Sequence, residues 1–299
     1  MKKKVFSGVG TAIVTPFKNG EVDYDAFAKL INRQIEAKVD ALVVLGTTGE
    51  PATLTADERE QLLNFSKEQI NGRTKFIVGC GSNNTAQAIK NYKRAEKLGA
   101  DGALIVTPYY NKCTQNGLIE HYKAIGNAGD LPIIVYNVPG RTGVNVLPET
   151  MKELSQIKNI CGLKEASGNI TQICEYFRLC GQDIDIYSGE DALNAVFAML
   201  GGSGEISVAS NIFPKLCKKI LNLCNSKQYE QMLIYQNKMI PFIKQLFCEV
   251  NPIPVKAGLN ILGLIENELR LPLTAILKEN YSKLQCEINA LIRYENDCM

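Results

Sequence analysis

Eight short apolar runs recur along this chain and are separated by longer segments of helical character. They are GVGTAIV at 8–14, ALVVLG at 41–46, KFIVGC at 75–80, GALIVTP at 102–108, PIIVYN at 132–137, CGLKE at 161–165, IDIYSG at 184–189 and GEISVAS at 204–210. The runs show little polar–apolar alternation, which is typical of parallel strands buried on both faces. Because these βα units follow one another without a break in composition, they predict a (β/α)8 TIM barrel. A doubly wound open sheet is the alternative.

The segments between the runs carry helix signals. Apolar residues recur at helical spacing in two sets, which are Phe27, Leu30, Ile31 and Ile35, and Leu193, Val196, Phe197 and Leu200. Thr55 and Glu58 form a predicted capping box, in which both side chains satisfy free backbone N–H groups at the start of a helix.

The strand signals end after a predicted helix near residues 213–225. Residues 227–299 have the character of helices only, with breaks at Pro252, Pro254 and Pro272. We therefore predict a catalytic barrel over residues 1–226 and a C-terminal helical domain over residues 227–299.

Charge and hydropathy exclude two classes of partner. The net charge is +2 and the basic residues are spread along the chain, which disfavours a nucleic-acid surface. The MKKK start lacks a following apolar segment, and no run approaches the length of a membrane span. We expect a cytoplasmic protein with neither nucleic acid nor membrane as a partner.

The cysteines and the single histidine argue against a metal site and against a Ser-His-Asp triad. None of the ten cysteines forms a C-x-x-C pair, so they are expected as small buried hydrophobes or free thiols. One histidine, His121, leaves no set for a His-rich metal site or a Ser-His-Asp triad. His121 lies in a predicted amphipathic helix and is expected at the surface.

Lys164 lies at the end of the sixth apolar run. A lysine at a strand end commonly reaches solvent, but in a TIM barrel the carboxyl ends of the strands build the active site. A lysine amine that burial holds neutral can attack a carbonyl and form a Schiff base. Tyr136, on the preceding strand, is the candidate for proton transfer, and a core tyrosine is its alternative role.

Other polar residues follow the predicted strands. Thr47 and Thr48 stand between glycines, where they either cap a turn or offer hydroxyl and N–H groups to a small carboxylate. Tyr110 follows the fourth strand. Arg141 follows the fifth, where it either faces water or binds a carboxylate in two-point fashion.

These residues lie in motifs that resemble the 4-hydroxy-tetrahydrodipicolinate synthase family. The motifs, in order along nearly the whole chain, are GTTGE at 46–50, TPYYNK at 107–112, YNVPGRTG at 136–143, GLKEASGN at 162–169 and NPIPVK at 251–256. The resemblance implies a (β/α)8 barrel with C-terminal helices. It also implies a lyase that condenses pyruvate with L-aspartate 4-semialdehyde in diaminopimelate and lysine biosynthesis, without a cofactor.

The resemblance implies roles for the catalytic residues. Lys164 corresponds to the Schiff-base lysine and Tyr136 to the proton donor and acceptor. Thr47 and Tyr110 correspond to the rest of a proton relay. In this family a neighbouring subunit supplies the tyrosine at position 110, which implies a homo-oligomer, usually a tetramer built as a dimer of dimers.

Four further positions correspond to substrate-binding residues of the family. Thr48 and Ile206 match positions that hold pyruvate, and Gly189 is grouped with them. Arg141 matches the residue that receives the carboxylate of the semialdehyde.

The lysine-effector site of the family is matched only in part. Asn83 and Tyr109 match it, whereas Gln87 replaces a glutamate that meets the amine of the inhibitor. Pro51 and Arg59 replace a small polar residue and a histidine. Loss of a negative charge and gain of a positive one weaken the binding of a cation, so weak or absent inhibition by lysine is expected.

Three alternatives to the synthase remain from the sequence. An N-acetylneuraminate lyase or sugar-acid aldolase shares the barrel and the lysine but typically lacks an arginine at position 141. A non-catalytic barrel protein does not need Lys164 with Tyr136. A phosphate-binding barrel is suggested by Gly201-Gly202-Ser203-Gly204, but this run precedes the eighth strand and is better explained as a helix stop.

Overall fold

The computed structural model describes residues 4–298. Within them the strands are β1 Gly8–Ala12, β2 Phe17–Lys18, β3 Glu21–Val22, β4 Ala41–Val44, β5 Lys75–Gly79, β6 Gly102–Val106, β7 Ile133–Asn137, β8 Ile160–Glu165, β9 Asp185–Ser188 and β10 Gly204–Ser207. Strands β2 and β3 form a small antiparallel pair, and the other eight close into a barrel in the order β1-β10-β9-β8-β7-β6-β5-β4. The predicted TIM barrel is therefore confirmed, and the open sheet is wrong.

The helices occupy the segments between the strands and the C-terminal part of the chain. They are α1 Tyr24–Glu36, α2 Ala56–Ile70, α3 Thr85–Lys97, α4 Gln115–Gly126, α5 Pro139–Thr142, α6 Pro148–Leu154, α7 Ile170–Cys180, α8 Asn194–Met199, α9 Pro214–Asn225, α10 Tyr229–Leu246, α11 Ile253–Ile261 and α12 Lys278–Asp297. Both hydrogen bonds of the capping box at Thr55 and Glu58 are present, which confirms the predicted start of α2.

The two predicted apolar stripes differ in outcome. In α1 the residues Phe27, Leu30 and Ile31 are buried as expected, whereas Ile35 is half-buried. In α8 only Phe197 of the predicted set is buried, and Leu200 is exposed beyond the end of the helix. The helix stops there because Gly201 has a φ of 90°, a left-handed conformation that glycine adopts freely. The interpretation of residues 201–204 as a helix stop is confirmed.

The chain divides into two compact units. The first contains residues 75–206 with the short segment 4–7, and the second contains residues 8–74 and 207–298. The predicted domain boundary between residues 226 and 227 falls in the connection from α9 to α10, and this division stays a prediction.

In the first unit, parallel pairing of neighbouring strands sets the height of their side chains. Tyr136 of β7 is the register partner of Lys164 of β8, and Asn137 is the partner of Glu165. All residues of β7 and β8 are buried, the polar ones at their carboxyl ends included. These two strands therefore carry polar groups inside the protein, where each needs a partner.

His121 is buried, so the expectation of a surface histidine is wrong. Its side chain is 5% exposed and shares the buried face of α4 with Leu118, Tyr122 and Ile125. Its Nδ1 lies 2.9 Å from Oγ1 of Thr85, at the start of α3. The histidine stands at helical spacing from Leu118 and Ile125, so it turns toward the core with them.

Two properties of residues 4–298 bear on the expected partners. No helix in this range has the length and apolar character that a membrane span requires. The same residues contain no group of three or more His, Cys, Asp or Glu side chains arranged to hold a metal ion.

Candidate active site

Lys164 and Tyr136 form the centre of the candidate site in the first unit. The Lys164 side chain is 5% exposed, and its Nζ lies 4.3 Å from the centroid of the Tyr136 ring. The two residues are adjacent because β7 and β8 pair in register at this point. The alternative in which Lys164 leaves the strand for solvent does not fit this burial.

Burial dominates the protonation of Lys164. It lowers the pKa of the amine from 10.5 to about 8, and the positive charge of Arg141 lowers it as well. The negative charges of Asp191 and Glu190 oppose both effects. At neutral pH about a tenth of such an amine is neutral, compared with less than about a thousandth of an ordinary lysine. Lys164 therefore has the character of a nucleophile.

Gly189 leaves room for the Lys164 side chain. A Cβ at this position would lie 2.9 Å from Cε of Lys164 and 2.9 Å from Cβ of Ala166, closer than carbon atoms approach. The Gly189 N–H donates to the carbonyl of Glu165 at 2.8 Å, which holds the end of β9 beside β8. Any larger residue here would displace the lysine.

Arg141 belongs to the short helix α5, which runs from Pro139 to Thr142 and is followed by Gly143 with a φ of 70°. The Arg141 side chain is exposed, and its charge acts on Lys164. The next residue, Thr142, is buried, and its hydroxyl accepts a hydrogen bond from Thr107 at 3.1 Å. The buried Thr142 thus holds this loop in place, while the neighbouring Arg141 is exposed.

The remaining predicted residues of this unit lie at a strand end and at a loop tip. Ile206 is 1% exposed on β10. Tyr110 is 92% exposed and has a φ of 71°, unusual for a residue with a side chain. Tyr109 beside it is 41% exposed. Two aromatic rings therefore stand in solvent at this tip.

A buried polar pair was missed by sequence reasoning. Asn137 and Glu165 follow Tyr136 and Lys164 directly, and both are fully buried. The Asn137 amide donates to the Glu165 carboxylate at 2.8 Å. The signal available in the sequence was the coincidence of an amide and a carboxylate at the ends of two successive strands.

In the second unit, Thr47 and Thr48 lie in a 3-10 turn over Thr47–Gly49. Thr48 is 2% exposed, and its hydroxyl accepts a hydrogen bond from the Asn251 amide at 3.0 Å. Thr47 is half-buried. Asn251 begins the NPIPVK motif, so this contact joins two of the recognised motifs.

Glu50 and Lys256 form a second polar pair that sequence reasoning did not identify. Lys256 Nζ lies 2.7 Å from Glu50 Oε1, and the two side chains are 0% and 1% exposed. Glu50 follows the threonine turn, in the left-handed conformation with a φ of 53°. Lys256 belongs to α11. Glu50 lies in the GTTGE motif and Lys256 in the NPIPVK motif, and this was the only sign in the sequence that the two residues matter.

The residues matched to the effector site make local contacts. In the first unit, the Gln87 amide donates to Asn91 at 2.7 Å, and the Asn83 carbonyl accepts from Asn111 at 3.0 Å. In the second unit, Arg59 donates to the Pro51 carbonyl at 2.6 Å. Gln87 is thus a neutral amide donor at this position and carries no negative charge.

The comparisons with known proteins agree on one family. A sequence model of the dihydrodipicolinate synthetase family matches residues 5–291. The 4-hydroxy-tetrahydrodipicolinate synthase of Alkaliphilus oremlandii is 52% identical over 288 residues, which are 95% of this chain and 98% of that protein. The synthase of Thermotoga neapolitana is 52% identical over 273 residues, covering 90% and 93% of the two chains.

Solved structures give the same result. The dihydrodipicolinate synthase of Thermotoga maritima superimposes with a TM-score of 0.94 at 48% identity and covers 98% of this chain and 99% of its own. The enzyme of Cyanidioschyzon merolae, solved with lysine bound, has a TM-score of 0.93 at 41% identity and covers 96% and 99% of the two chains. With the family model and these relatives in agreement over nearly the full length, the chain belongs to the dihydrodipicolinate synthetase family.

Proposed function

We propose that this protein condenses pyruvate with L-aspartate 4-semialdehyde to 4-hydroxy-tetrahydrodipicolinate, the carbon–carbon bond-forming step of diaminopimelate and lysine biosynthesis. The observation that carries the proposal is the buried amine of Lys164 beside the Tyr136 ring, with its pKa lowered to about 8. Family membership supports the same reaction. The chemistry uses side chains alone and needs no cofactor.

The reaction begins at Lys164. Its neutral amine attacks the keto carbon of pyruvate, and loss of water from the resulting carbinolamine gives an imine. The protonated imine draws electrons from the neighbouring methyl group, which loses a proton and becomes an enamine. We assign the proton transfers of these steps to Tyr136, a role supported by the 4.3 Å between the lysine nitrogen and the centroid of its ring.

The enamine then forms the new carbon–carbon bond with the aldehyde carbon of the second substrate. Tyr136 supplies the proton that the new alkoxide takes up. Attack of the substrate's own amino group on the imine carbon closes the ring and returns Lys164 as a free amine. Arg141 binds the semialdehyde carboxylate, for which a guanidinium supplies two parallel donors.

We assign the remaining residues by their correspondence to the family. Thr47 and Tyr110 complete the proton relay, and Thr48, Ile206 and Gly189 bind pyruvate. The protein is a cytoplasmic homotetramer in which Tyr110 acts in the neighbouring subunit. The 92% exposure of Tyr110 supports this assembly, because a large aromatic side chain gains free energy when a partner covers it. Residues 1–226 form the catalytic barrel and residues 227–299 the helical domain.

We propose that lysine inhibits this enzyme weakly or not at all. Gln87 offers a neutral amide where a carboxylate would attract the effector's amine, and Arg59 adds a positive charge. Inhibition of the purified enzyme by L-lysine at neutral pH measures this directly. An inhibition constant in the micromolar range of about 1–100 μM would contradict the proposal.

A sugar-acid aldolase is the second candidate, since it also forms a lysine imine with pyruvate. Arg141 favours the synthase, because a short semialdehyde presents a carboxylate that an arginine recognises, whereas a polyhydroxylated aldehyde requires hydroxyl-binding groups. The aldehyde that the enzyme consumes together with pyruvate distinguishes the two reactions.

The test combines trapping and turnover. Borohydride with pyruvate is expected to attach a three-carbon unit to Lys164, located by peptide mass spectrometry. In a coupled assay with both substrates, Lys164→Ala is expected to lose at least about a hundredfold in turnover. Lys158→Ala is the matched control, because Lys158 is 88% exposed in an ion pair with Asp130. Full turnover by Lys164→Ala, or no consumption of the semialdehyde by the wild type, would refute the proposal.

A further inference from the structure

The two central strands of the site carry polar residues on both of their faces. Side chains alternate along a strand, so Asn137 and Glu165 point away from the face that carries Tyr136 and Lys164. Both are 0% exposed. A carboxylate and an amide at this depth require a complete set of hydrogen-bond partners.

Asn137 has such a set. Its Nδ2 donates to Glu165 Oε2 at 2.8 Å and to Asn145 Oδ1 at 2.9 Å. Its Oδ1 accepts from the backbone N–H of Val146 at 3.0 Å. One side chain thus connects β8 with the far end of the loop that follows β7.

Glu165 is held from the other side by its own loop. Its Oε1 accepts from the backbone N–H of Ser167 at 2.6 Å. Burial raises the pKa of this carboxyl, and the hydrogen bonds from Ser167 and Asn137 oppose the shift. Keeping the Glu165 carboxylate buried and charged therefore costs free energy. The groups that face it, the Ser167 N–H and the Asn137 amide, are donors, so each of them needs an acceptor at this position.

Helix α7 completes the network from outside. Gln172 and Asn145 exchange two hydrogen bonds, at 2.7 Å and 3.0 Å. The Tyr176 hydroxyl accepts from Gln172 at 3.0 Å and donates to the Val146 carbonyl. The chain around Asn145 and Val146 is therefore fixed between the barrel strands and α7.

The anchored loop is the one that carries Arg141. It leaves β7 at Asn137 and returns at Val146, where the Asn137 side chain holds it. We infer that Asn137 and Glu165 are positioning residues that fix the Arg141 loop relative to Lys164 and so determine the binding of the second substrate's carboxylate. This inference rests on the proposed function.

The substitution Glu165→Gln tests the inference with little change in shape. A glutamine places an NH2 group against either Asn137 Nδ2 or the Ser167 N–H, so two buried donors face each other. The KM for the semialdehyde is expected to rise about tenfold, because the clash displaces the Asn137 amide that holds the loop at Val146. Borohydride trapping of pyruvate at Lys164, measured at about pH 9 where the amine is mostly neutral wherever the Arg141 charge lies, is expected to stay within about twofold of wild type.

The double variant Asn137→Asp with Glu165→Gln reverses the polarity of the pair. The aspartate accepts from the glutamine NH2 and still accepts from the Val146 N–H, while the glutamine oxygen accepts from Ser167. The Asn145 and Gln172 amides turn over to match, and the Tyr176 hydroxyl then donates to Gln172 in place of the Val146 carbonyl. The semialdehyde KM is expected to return to within about threefold of wild type. Recovery of the melting temperature without recovery of this KM would overturn the inference.

A second single variant covers the case in which Glu165→Gln does not fold. Gln172→Ala removes the outer support of Asn145 and leaves the Asn137–Glu165 hydrogen bond in place. It is expected to raise the semialdehyde KM about threefold with unchanged trapping. If the wild type is active and these variants have an unchanged KM for the semialdehyde, the inference is refuted and the proposed function is not. A wild type that does not consume the semialdehyde refutes the proposed function instead.

Discussion

Lys256 and Glu50 form a buried ion pair in which Nζ lies 2.7 Å from Oε1 and neither side chain is more than 1% exposed. The lysine also lies over the Phe17 ring, 4.1 Å from its centroid. Burial lowers the pKa of Lys256, and the charge of Glu50 opposes this. Glu50 ends the turn that contains Thr48, so the pair fixes this turn to α11.

Lys256→Met is expected to destabilise the protein by about 3–5 kcal/mol, because it leaves the Glu50 carboxylate buried without its counter-charge. The double variant Glu50→Met with Lys256→Met is expected to recover more than half of this loss, since apolar side chains of similar volume replace both charges. The free energy of unfolding in urea measures both effects. A double variant no more stable than the single one would contradict this account.

An exposed ion pair supplies the control for this prediction. Lys283 and Glu279 are 2.6 Å apart on α12 with side chains 54% and 79% exposed. Lys283→Met is expected to leave the free energy of unfolding unchanged within error, because water already solvates both charges. A loss equal to that of Lys256→Met would mean that burial is not the cause.

The pKa of the Lys164 amine predicts how the rate of imine formation depends on pH. The amine of Lys164 attacks only when neutral, and its pKa is about 8. The kcat/KM for pyruvate is therefore expected to rise with pH and to level off above about 8. A plateau that begins only near the ordinary lysine pKa would contradict the burial of the amine.

Two substitutions are expected to shift this profile in opposite directions. The charge of Asp191 raises the pKa of Lys164 and the charge of Arg141 lowers it. Asp191→Asn is thus expected to move the rising limb to lower pH, and Arg141→Gln to higher pH. The rate of borohydride trapping of pyruvate, measured against pH for each variant, gives both shifts. Shifts of the same sign would refute this electrostatic assignment.

Gly189→Ala tests whether the space around Lys164 matters. The added methyl group meets Cε of Lys164 at 2.9 Å and is expected to lower kcat/KM for pyruvate about tenfold or more. Gly140→Ala is the control, because a Cβ there meets no atom within 4 Å. Equal trapping rates in Gly189→Ala and the wild type would show that the lysine has room to move.

The sequence predicted the barrel and the neighbourhood of Lys164 for a simple reason. Strands buried on both faces appear as continuous apolar runs, and turns interrupt them at regular distances. In a parallel barrel, consecutive strands are neighbours, so Tyr136 and Lys164 at two successive strand ends had to lie side by side. Order along the chain is sufficient for that inference.

The polar contacts behind the site could not be predicted in this way. Asn137 and Glu165 stand where strands end, and a polar residue there commonly signals the exit to solvent. Their burial depends on Gln172 and Tyr176, which α7 brings from another part of the chain. For Lys256, the decisive fact is that Glu50 lies opposite it, and no local pattern records contacts between residues so far apart.

The burial of His121 predicts a loss of stability in mild acid. Burial lowers the pKa of this histidine from 6.5 to about 4, and its Nε2 has no hydrogen-bond partner within residues 4–298. Because the folded pKa lies below the unfolded one, the unfolded chain binds the proton more readily. The contribution of His121 is thus fully present above pH 6.5 and is lost as the pH falls toward about 4.

His121→Gln separates this effect from the titration of the carboxylates. The glutamine amide can donate to or accept from the Thr85 hydroxyl but does not titrate. The free energy of unfolding of the wild type is expected to fall by up to about 1.4 kcal/mol per pH unit more steeply than that of the variant, within the window from 6.5 to about 4. Urea unfolding of both proteins across this window gives the difference. Parallel curves would mean that the buried imidazole takes up its proton without unfolding, through a local opening between α3 and α4.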